Sequence, residues 1–173
     1  SNYVGFITTV LITIGGQMRE IKRTIASAVI FSADGLLLMG RKDSDMGGEY
    51  PGIWHIPGGG VEPDETLDQA LVREVGQEVV GLDLTEYKHK PLRWVGLGSS
   101  PKTMPDGERV LAHMKFHRFE VHLDESAAQL EDRLRPGDDL VELRWFTRAE
   151  LAEVISESDI NAWFEAAGYI DPE

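Results

Sequence analysis

The alternation of apolar and polar residues predicts an antiparallel hairpin near the beginning of the chain. Two apolar runs, residues 24–32 and 36–41, flank Asp34-Gly35, and an Asp-Gly pair between such runs favours a tight turn. Residues 6–14 form an earlier run rich in β-branched side chains. We expect that run to be an edge strand or a strand exchanged between two copies of the chain.

A helix is predicted over residues 66–79, where apolar residues recur with helical spacing. Thr66 and Gln69 have the spacing of a capping box, and Gly81 is expected to end the helix. Further strands are predicted near residues 91–97, 109–121 and 141–146, with loops over residues 43–53, 98–108 and 124–140.

Two more helices are predicted towards the end of the chain. Thr147 and Glu150 form a second capping box, which opens a helix to residue 155, and a last helix over residues 158–167 ends at Gly168. The residues of the last helix that should face inward are Ile160, Trp163 and Phe164. Strands mixed with a few helices, without regular βαβ alternation, indicate the α+β class: a mixed central sheet flanked by helices.

Two carboxylates of the helix at 66–79 fall on its apolar face. With Leu67 at 0° on a helical wheel, Leu71 and Val75 lie at about 40° and 80°, while Glu74 and Glu78 lie at about 340° and 20°. Carboxylates one turn apart repel each other, and burying them without a partner costs several kcal/mol each. A cation should therefore compensate the inward pair.

A divalent metal ion is the interpretation that we favour for this cation. Mg²⁺ prefers oxygen ligands and binds carboxylates together with substrate phosphates; Mn²⁺ is the alternative ion. An ion pair with Arg73 or Arg93 is the structural alternative. The preceding Pro57-Gly58-Gly59-Gly60 supports a metal, because glycines let the backbone approach a ligand and backbone carbonyls are hard oxygen ligands.

Composition narrows the class of protein. The chain has 173 residues, 42% of them hydrophobic, which predicts one domain over residues 1–173. The formal net charge of −13 argues against nucleic-acid or anionic-membrane partners, and the apolar run at 4–14 is shorter than the roughly 20 residues that span a bilayer. The chain has no cysteine, which excludes disulfides and thiolate metal sites and fits a cytoplasmic protein.

The spacing of charged residues resembles the Nudix box. Gly59, five residues, Glu65, seven residues, Arg73-Glu74-Val75 and then Gln77-Glu78 are similar to G-x5-E-x7-R-E-U-x-E-E-x-G-U, where U is a bulky aliphatic residue. Two positions depart from that pattern: Gln77 replaces a glutamate, and Val80 stands where glycine is expected.

The resemblance implies an α/β/α sandwich that hydrolyses a diphosphate linkage in a nucleoside diphosphate derivative, either a nucleotide sugar or a nucleoside triphosphate. It implies that the metal ligands are the Gly59 carbonyl, Glu74, Gln77 and Glu78. It also implies that Glu65 and Arg73 orient the catalytic groups Glu74 and Glu78. Because Gln77 removes a charge, a catalytically weak nucleotide-binding sensor is the alternative. An isoprenoid isomerase of related fold is disfavoured by the absence of cysteine.

Residues outside the box are candidates to complete the site. The resemblance implies a further metal ligand from a distant loop, with Asp138, Asp139 and Glu142 as candidates. Glu142 is favoured among them because it lies three residues before Trp145, a spacing that is common in the family. The alternative for each of the three is an ordinary solvated acid. The predicted substrate-binding residues are Arg41, Lys42, Tyr50, His113 and Lys115, and Trp54 is a weaker candidate for stacking on a base. The expected partner is a small nucleoside diphosphate derivative, and the strand at 6–14 is consistent with a homodimer.

Overall fold

The computed structural model describes residues 17–43, 53–93, 95–155, 164 and 167–169. The strand predicted at 6–14, Tyr50 and most of the last predicted helix lie outside these residues. The described strands are β1 (Arg19–Phe31), β2 (Leu37–Lys42), β3 (Trp54–His55), β4 (Gly58–Gly60), β5 (Val79–Val80), β6 (Lys90–Pro91), β7 (Gly96–Thr103), β8 (Arg109–His122), β9 (Arg135–Pro136) and β10 (Leu140–Phe146). The helices are α1 (Leu67–Glu78), α2 (Ala127–Glu131) and α3 (Arg148–Ile155), with a 3-10 turn at Leu84–Glu86.

A mixed central sheet has the strand order β10-β2-β1-β8-β6. Strand β1 runs parallel to β8 along its whole length, from Arg19 opposite Val110 to Phe31 opposite His122. The remaining pairings are antiparallel: β3 lies on β2, β4 on β1 and β7 on β8. This arrangement confirms the mixed sheet of the α+β class.

The predicted hairpin is confirmed. Phe31 at the end of β1 pairs with Leu37 at the start of β2. Gly35 in the turn has φ of 82°, a conformation that glycine adopts without steric cost.

Helix α1 covers one face of the sheet, and its predicted start is confirmed. Thr66 and Gln69 form both hydrogen bonds of the capping box. Leu71 and Val75 are fully buried in one core cluster with Ala28 and two further residues of β1, Ala26 and Ile30. The predicted bounds were nearly right, since α1 ends at Glu78 and the next two residues form β5 against β9. We call this side of the sheet the α1 face.

The opposite side, the α3 face, has its own apolar core. Val29 of β1 and Met39 of β2 pack there with Phe146, Leu151 of α3 and Phe164. Phe164 is fully buried, as predicted for the last helix. Helices on both faces of the sheet give the expected α/β/α layers. No described helix has the length and hydrophobicity needed to cross a membrane.

Two predicted loops contain regular structure. Residues 96–103, expected largely as a loop, form β7 against β8. Pro101 occupies β7 because the strand pairs with β8 alone among the described strands, and an edge strand tolerates proline. Within the loop predicted at 124–140, Ser126 and Gln129 form a capping box that opens α2.

Candidate active site

The two inward carboxylates of α1 lie against the triple-glycine strand β4. Glu78 is only 5% exposed, and its Oε2 accepts a hydrogen bond of 2.9 Å from the Gly58 N–H. Glu74 is 16% exposed at its side chain, and a Cβ at Gly59 would overlap its carboxylate. The predicted inward orientation is therefore confirmed, and β4 approaches the carboxylates closely because it carries no side chains.

Burial raises the pKa of Glu78 to about 8, and the nearby charges of Asp139 and Glu74 act in the same direction, whereas the hydrogen bond from Gly58 and the charge of Lys42 lower it. No cationic side chain among the described residues forms an ion pair with Glu78. The buried carboxylate is therefore unfavourable in its charged form unless a cation binds beside it.

Arg73 forms a network that holds Glu74 in place. Its Nε and Nη2 donate to the two carboxylate oxygens of Glu65 at 2.5 and 2.8 Å, and its Nη1 donates to Glu74 at 2.7 Å. Its Nη2 also donates to the Gly60 carbonyl at 2.9 Å. These bonds lower the pKa of Glu65 to about 2. Arg73, the structural alternative to a metal, thus pairs with Glu74 but not with Glu78.

A loop from the far end of the chain brings two further acids to Glu78. Carboxylate oxygens of Glu78, Asp138 and Asp139 all lie within 4.8 Å of one another. The Gly137 N–H donates to the Glu78 carbonyl at 2.9 Å, and the pairing of β5 with β9 places this loop beside the end of α1.

Glu142, the favoured distal ligand of the sequence analysis, is not part of this acid cluster among the described residues. It forms an ion pair with Arg41 instead, with nitrogen–oxygen distances of 2.9 and 3.0 Å. The structure therefore groups Asp138 and Asp139, the other two candidates, with Glu78 and does not group Glu142 with them. The register of β10 against β2 shifts between Leu140 and Glu142, an irregularity that sequence spacing does not reveal.

The direction of the Gly59 carbonyl differs from what its predicted role as a ligand requires. Pro57 O and Val61 N bond to β1, and strand alternation turns the peptide groups of Gly59, midway between them, towards β1 as well. The peptide groups of Gly58 and Gly60 point the other way, as their bonds to Glu78 and Arg73 show. The Gly58 carbonyl is therefore the better candidate on the carboxylate side.

The predicted phosphate contacts after the hairpin are already neutralised. Arg41 is paired with Glu142 and also lies 5.8 Å from the centre of the Trp54 ring. Lys42 Nζ lies 2.8 Å from Asp139 Oδ2. Trp54 packs edge-on against Phe146, as expected of a core residue.

The other two described candidates lie on β8. Its predicted alternation is confirmed at Val110 and Ala112, which are buried. His113 is bonded to Ser99 Oγ at 2.7 Å, and Lys115 is exposed. The structure does not group either side chain with the acid cluster.

A family model described as the NUDIX domain matches residues 21–164, which include β4, α1 and the loop with Asp138 and Asp139. The chain belongs to the Nudix family. The nucleoside triphosphatase NudI of Salmonella schwarzengrund is 40% identical over 103 residues, covering 57% of this chain and 67% of that relative. An RNA pyrophosphohydrolase of Gluconacetobacter diazotrophicus is 35% identical over 60 residues, covering 33% of this chain and 36% of that protein. The Nudix chain thus spans 36% to 67% of these relatives.

Solved Nudix structures show the same fold. The dihydroneopterin triphosphate pyrophosphohydrolase of E. coli has a TM-score of 0.58 and 18% identity, covering 83% of this chain and 92% of that one. The MutT protein of Methanosarcina mazei has a TM-score of 0.52 and 20% identity, covering 87% and 92%.

The two departures from the Nudix box have different structural settings. Gln77 is exposed, whereas Glu78 beside it is buried. Val80 pairs with Arg135 in the β5–β9 ladder, and Gly81, with φ of 102°, follows it. The altered end of the Nudix helix therefore belongs to the ladder that brings Asp138 and Asp139 to Glu78.

Proposed function

We propose that this Nudix domain hydrolyses a diphosphate linkage in a nucleoside diphosphate derivative with the help of a divalent metal ion. The observation that carries the proposal is Glu78, a buried carboxylate without a cationic partner among the described residues, whose oxygens lie within 4.8 Å of those of Asp138 and Asp139. Three carboxylates at this separation repel one another, and a bound cation removes both the repulsion and the burial penalty.

The donor set fits Mg²⁺, with Mn²⁺ as the alternative ion. Carboxylates of Glu78, Asp138 and Asp139 and the Gly58 carbonyl would supply hard oxygen ligands. Gln77 is exposed and neutral, so its substitution leaves this set of acids intact. The proposal therefore does not require the glutamate that the Nudix box has at position 77.

When bound, the ion would neutralise charge on the diphosphate and lower the pKa of an attacking water. Glu74, one helical turn from Glu78, is the candidate base that accepts the proton of that water. Arg73 fixes the Glu74 carboxylate through its 2.7 Å hydrogen bond, and Glu65 in turn fixes Arg73. Because the base is already held in one position, no conformational entropy has to be lost to orient it during the reaction.

Nucleoside triphosphates are the first substrate class to test, since NudI, the relative matched over 103 residues, is described as a nucleoside triphosphatase. Nucleotide sugars are the second class. Both contain the linkage on which the proposal depends.

The proposal predicts that Glu78→Gln loses metal-dependent hydrolysis. A panel of nucleoside triphosphates and nucleotide sugars is incubated with Mg²⁺, and phosphate or nucleoside monophosphate release is measured. Replacing a ligand should lower kcat/KM by about 10²-fold or more. The control is Glu131→Gln, which makes the same chemical change at an exposed position of α2 and should keep the wild-type rate. Equal rates in Glu78→Gln and wild type would refute the role of Glu78, and tight nucleotide binding without any turnover would favour the sensor.

A further inference from the structure

Arg23 lies on the α3 face of the sheet, directly beside the triple-glycine strand. On β1 it has the same parity as Val29, whose side chain packs on that face, and Ile25, two residues further, pairs with Gly60. A Cβ at Gly60 would overlap Arg23 Nη2. The guanidinium therefore occupies the space that any side chain at position 60 would fill.

Arg23 also lines an open cleft of about 570 Å³. The other lining residues are Ile21 and, from the β7–β8 hairpin, Lys102, Thr103, Met104 and Pro105. The Arg19–Glu108 pair, with bonds of 3.0 and 2.8 Å, ties that hairpin to β1. The volume falls in the range of roughly 300–1,000 Å³ that is usual for small-molecule sites.

The same face carries a polar atom without a partner. Ser100 pairs with Ala112, which in turn pairs with Ile21, so the three side chains share the face of the cleft. Ser100 Oγ is buried and has no hydrogen-bond partner among the described residues. Leaving a buried hydroxyl unsatisfied is unfavourable, and a polar ligand group on this face would satisfy it.

The cations close to β4 differ in whether an acid neutralises them. Arg73 is bonded to two glutamates, and Arg41 and Lys42 are each ion-paired with an acid. Arg23 has neither an ion pair nor a hydrogen bond with any residue that the structure describes. In a chain of net charge −13, an unpaired planar guanidinium is suited to an oxyanion with two acceptor oxygens, such as phosphate.

We propose that the nucleoside of the substrate occupies the cleft and that Arg23 binds the phosphate attached to this nucleoside. The linkage that is cleaved lies on the other side of that phosphate. This inference rests on the proposed function and adds a specificity residue to it. Gly58, which contacts Glu78, and Gly60, which contacts Arg23, are two residues apart, or roughly 7 Å along a strand. A nucleotide lying across β4 can thus reach the acid cluster with its diphosphate while its nucleoside enters the cleft.

The test compares Arg23→Met with Lys22→Met. Each removes one positive charge, and the two positions are neighbours on opposite faces of β1, with Lys22 exposed. The dissociation constants of the four common nucleosides and their 5′-monophosphates are measured by calorimetry in EDTA, where no hydrolysis occurs. For the best-bound base, the tighter binding of the monophosphate over the nucleoside should fall by about 10-fold or more in Arg23→Met and persist in Lys22→Met.

Gly60→Ala provides a second variant that keeps the charge but displaces the guanidinium. It should reduce the same phosphate-dependent gain in affinity, by less than Arg23→Met. A gain that is equal in wild type and Arg23→Met, or no monophosphate binding by wild type, would overturn the proposal. Because this assay needs no turnover, its failure is distinguishable from failure of the proposed hydrolysis.

Discussion

Every nitrogen of the Arg73 guanidinium has a defined acceptor. The side chain joins Glu65, Glu74 and the Gly60 carbonyl into one network. A lysine has a single point charge and no planar fork, so it could not hold these three groups together. At the residue scale, the position of the candidate base therefore depends on one arginine.

This network makes a prediction about acid stability. Bonding to Arg73 lowers the pKa of Glu65 to about 2 from its ordinary value of 4.5, so the native state favours ionised Glu65. The stabilisation is fully present above pH 4.5 and is lost as the pH falls from 4.5 towards 2. We expect Glu65→Gln to flatten the dependence of unfolding free energy on pH in that window, as measured by urea unfolding.

The control for this prediction is again Glu131→Gln, at an exposed position outside the network. It should leave the slope of unfolding free energy against pH unchanged. The same slope in Glu65→Gln and in wild type would show that the Arg73 pair does not stabilise the fold.

At the scale of elements, α1 has a well-capped first turn but a residue of low helix propensity in its interior. The capping box at Thr66 satisfies N–H groups at the first turn. Gly76 lies within the helix on its exposed surface, with open space where a Cβ would be. Glycine inside a helix is about 0.5–1 kcal/mol less favourable than alanine.

Gly76→Ala is therefore expected to raise the free energy of unfolding by about 0.5–1 kcal/mol, as measured by urea denaturation. Gly35→Ala is the matched comparison, because it also meets no neighbouring atom but requires φ of 82°, which destabilises an L residue. Stabilisation by both substitutions, or by neither, would contradict this account of the two glycines.

The same scale shows which features could be predicted from the sequence. The capping boxes at Thr66 and Thr147 and the Asp34-Gly35 turn depend on contacts within a few residues, and the structure contains all three. The inward orientation of Glu74 and Glu78 also follows from one helical period.

Features that depend on distant pairing could not be predicted in this way. Strand β7 has small and polar residues that read as a loop, and it is ordered by pairing with β8. Asp138 and Asp139 reach Glu78 through the β5–β9 ladder, whose strands are two residues each. The spacing from Trp145 favoured Glu142 instead, because the register shift in β10 cannot be read from the sequence.

At the scale of the whole molecule, the formal charge of −13 matters for any test of metal binding. Cations in general screen the repulsion among the acids, so a stabilising effect of MgCl₂ is informative only against NaCl of equal ionic strength. A specific site binds the native state alone and stabilises it by mass action.

We expect Mg²⁺ at 100 times its dissociation constant to raise the free energy of unfolding by about 2.7 kcal/mol over the NaCl control. The increase should be largely absent in Asp139→Asn and Glu78→Gln. The accompanying rise in Tm is measured by calorimetry for each protein. An equal Mg²⁺ effect in wild type and both variants would place the ion elsewhere on the acidic surface.

Strand β4 separates the carboxylates on the α1 face from Arg23 on the α3 face by the thickness of a single backbone. Glu74 contacts it from the α1 face and Arg23 from the α3 face, and neither has to pass a side chain. Substitutions in β1 and in the β7–β8 hairpin, which line the cleft, should therefore change the preference for a substrate without changing the carboxylates. A side chain introduced into β4 should likewise act on one face at a time, because a Cβ at Gly59 would meet Glu74 and a Cβ at Gly60 would meet Arg23.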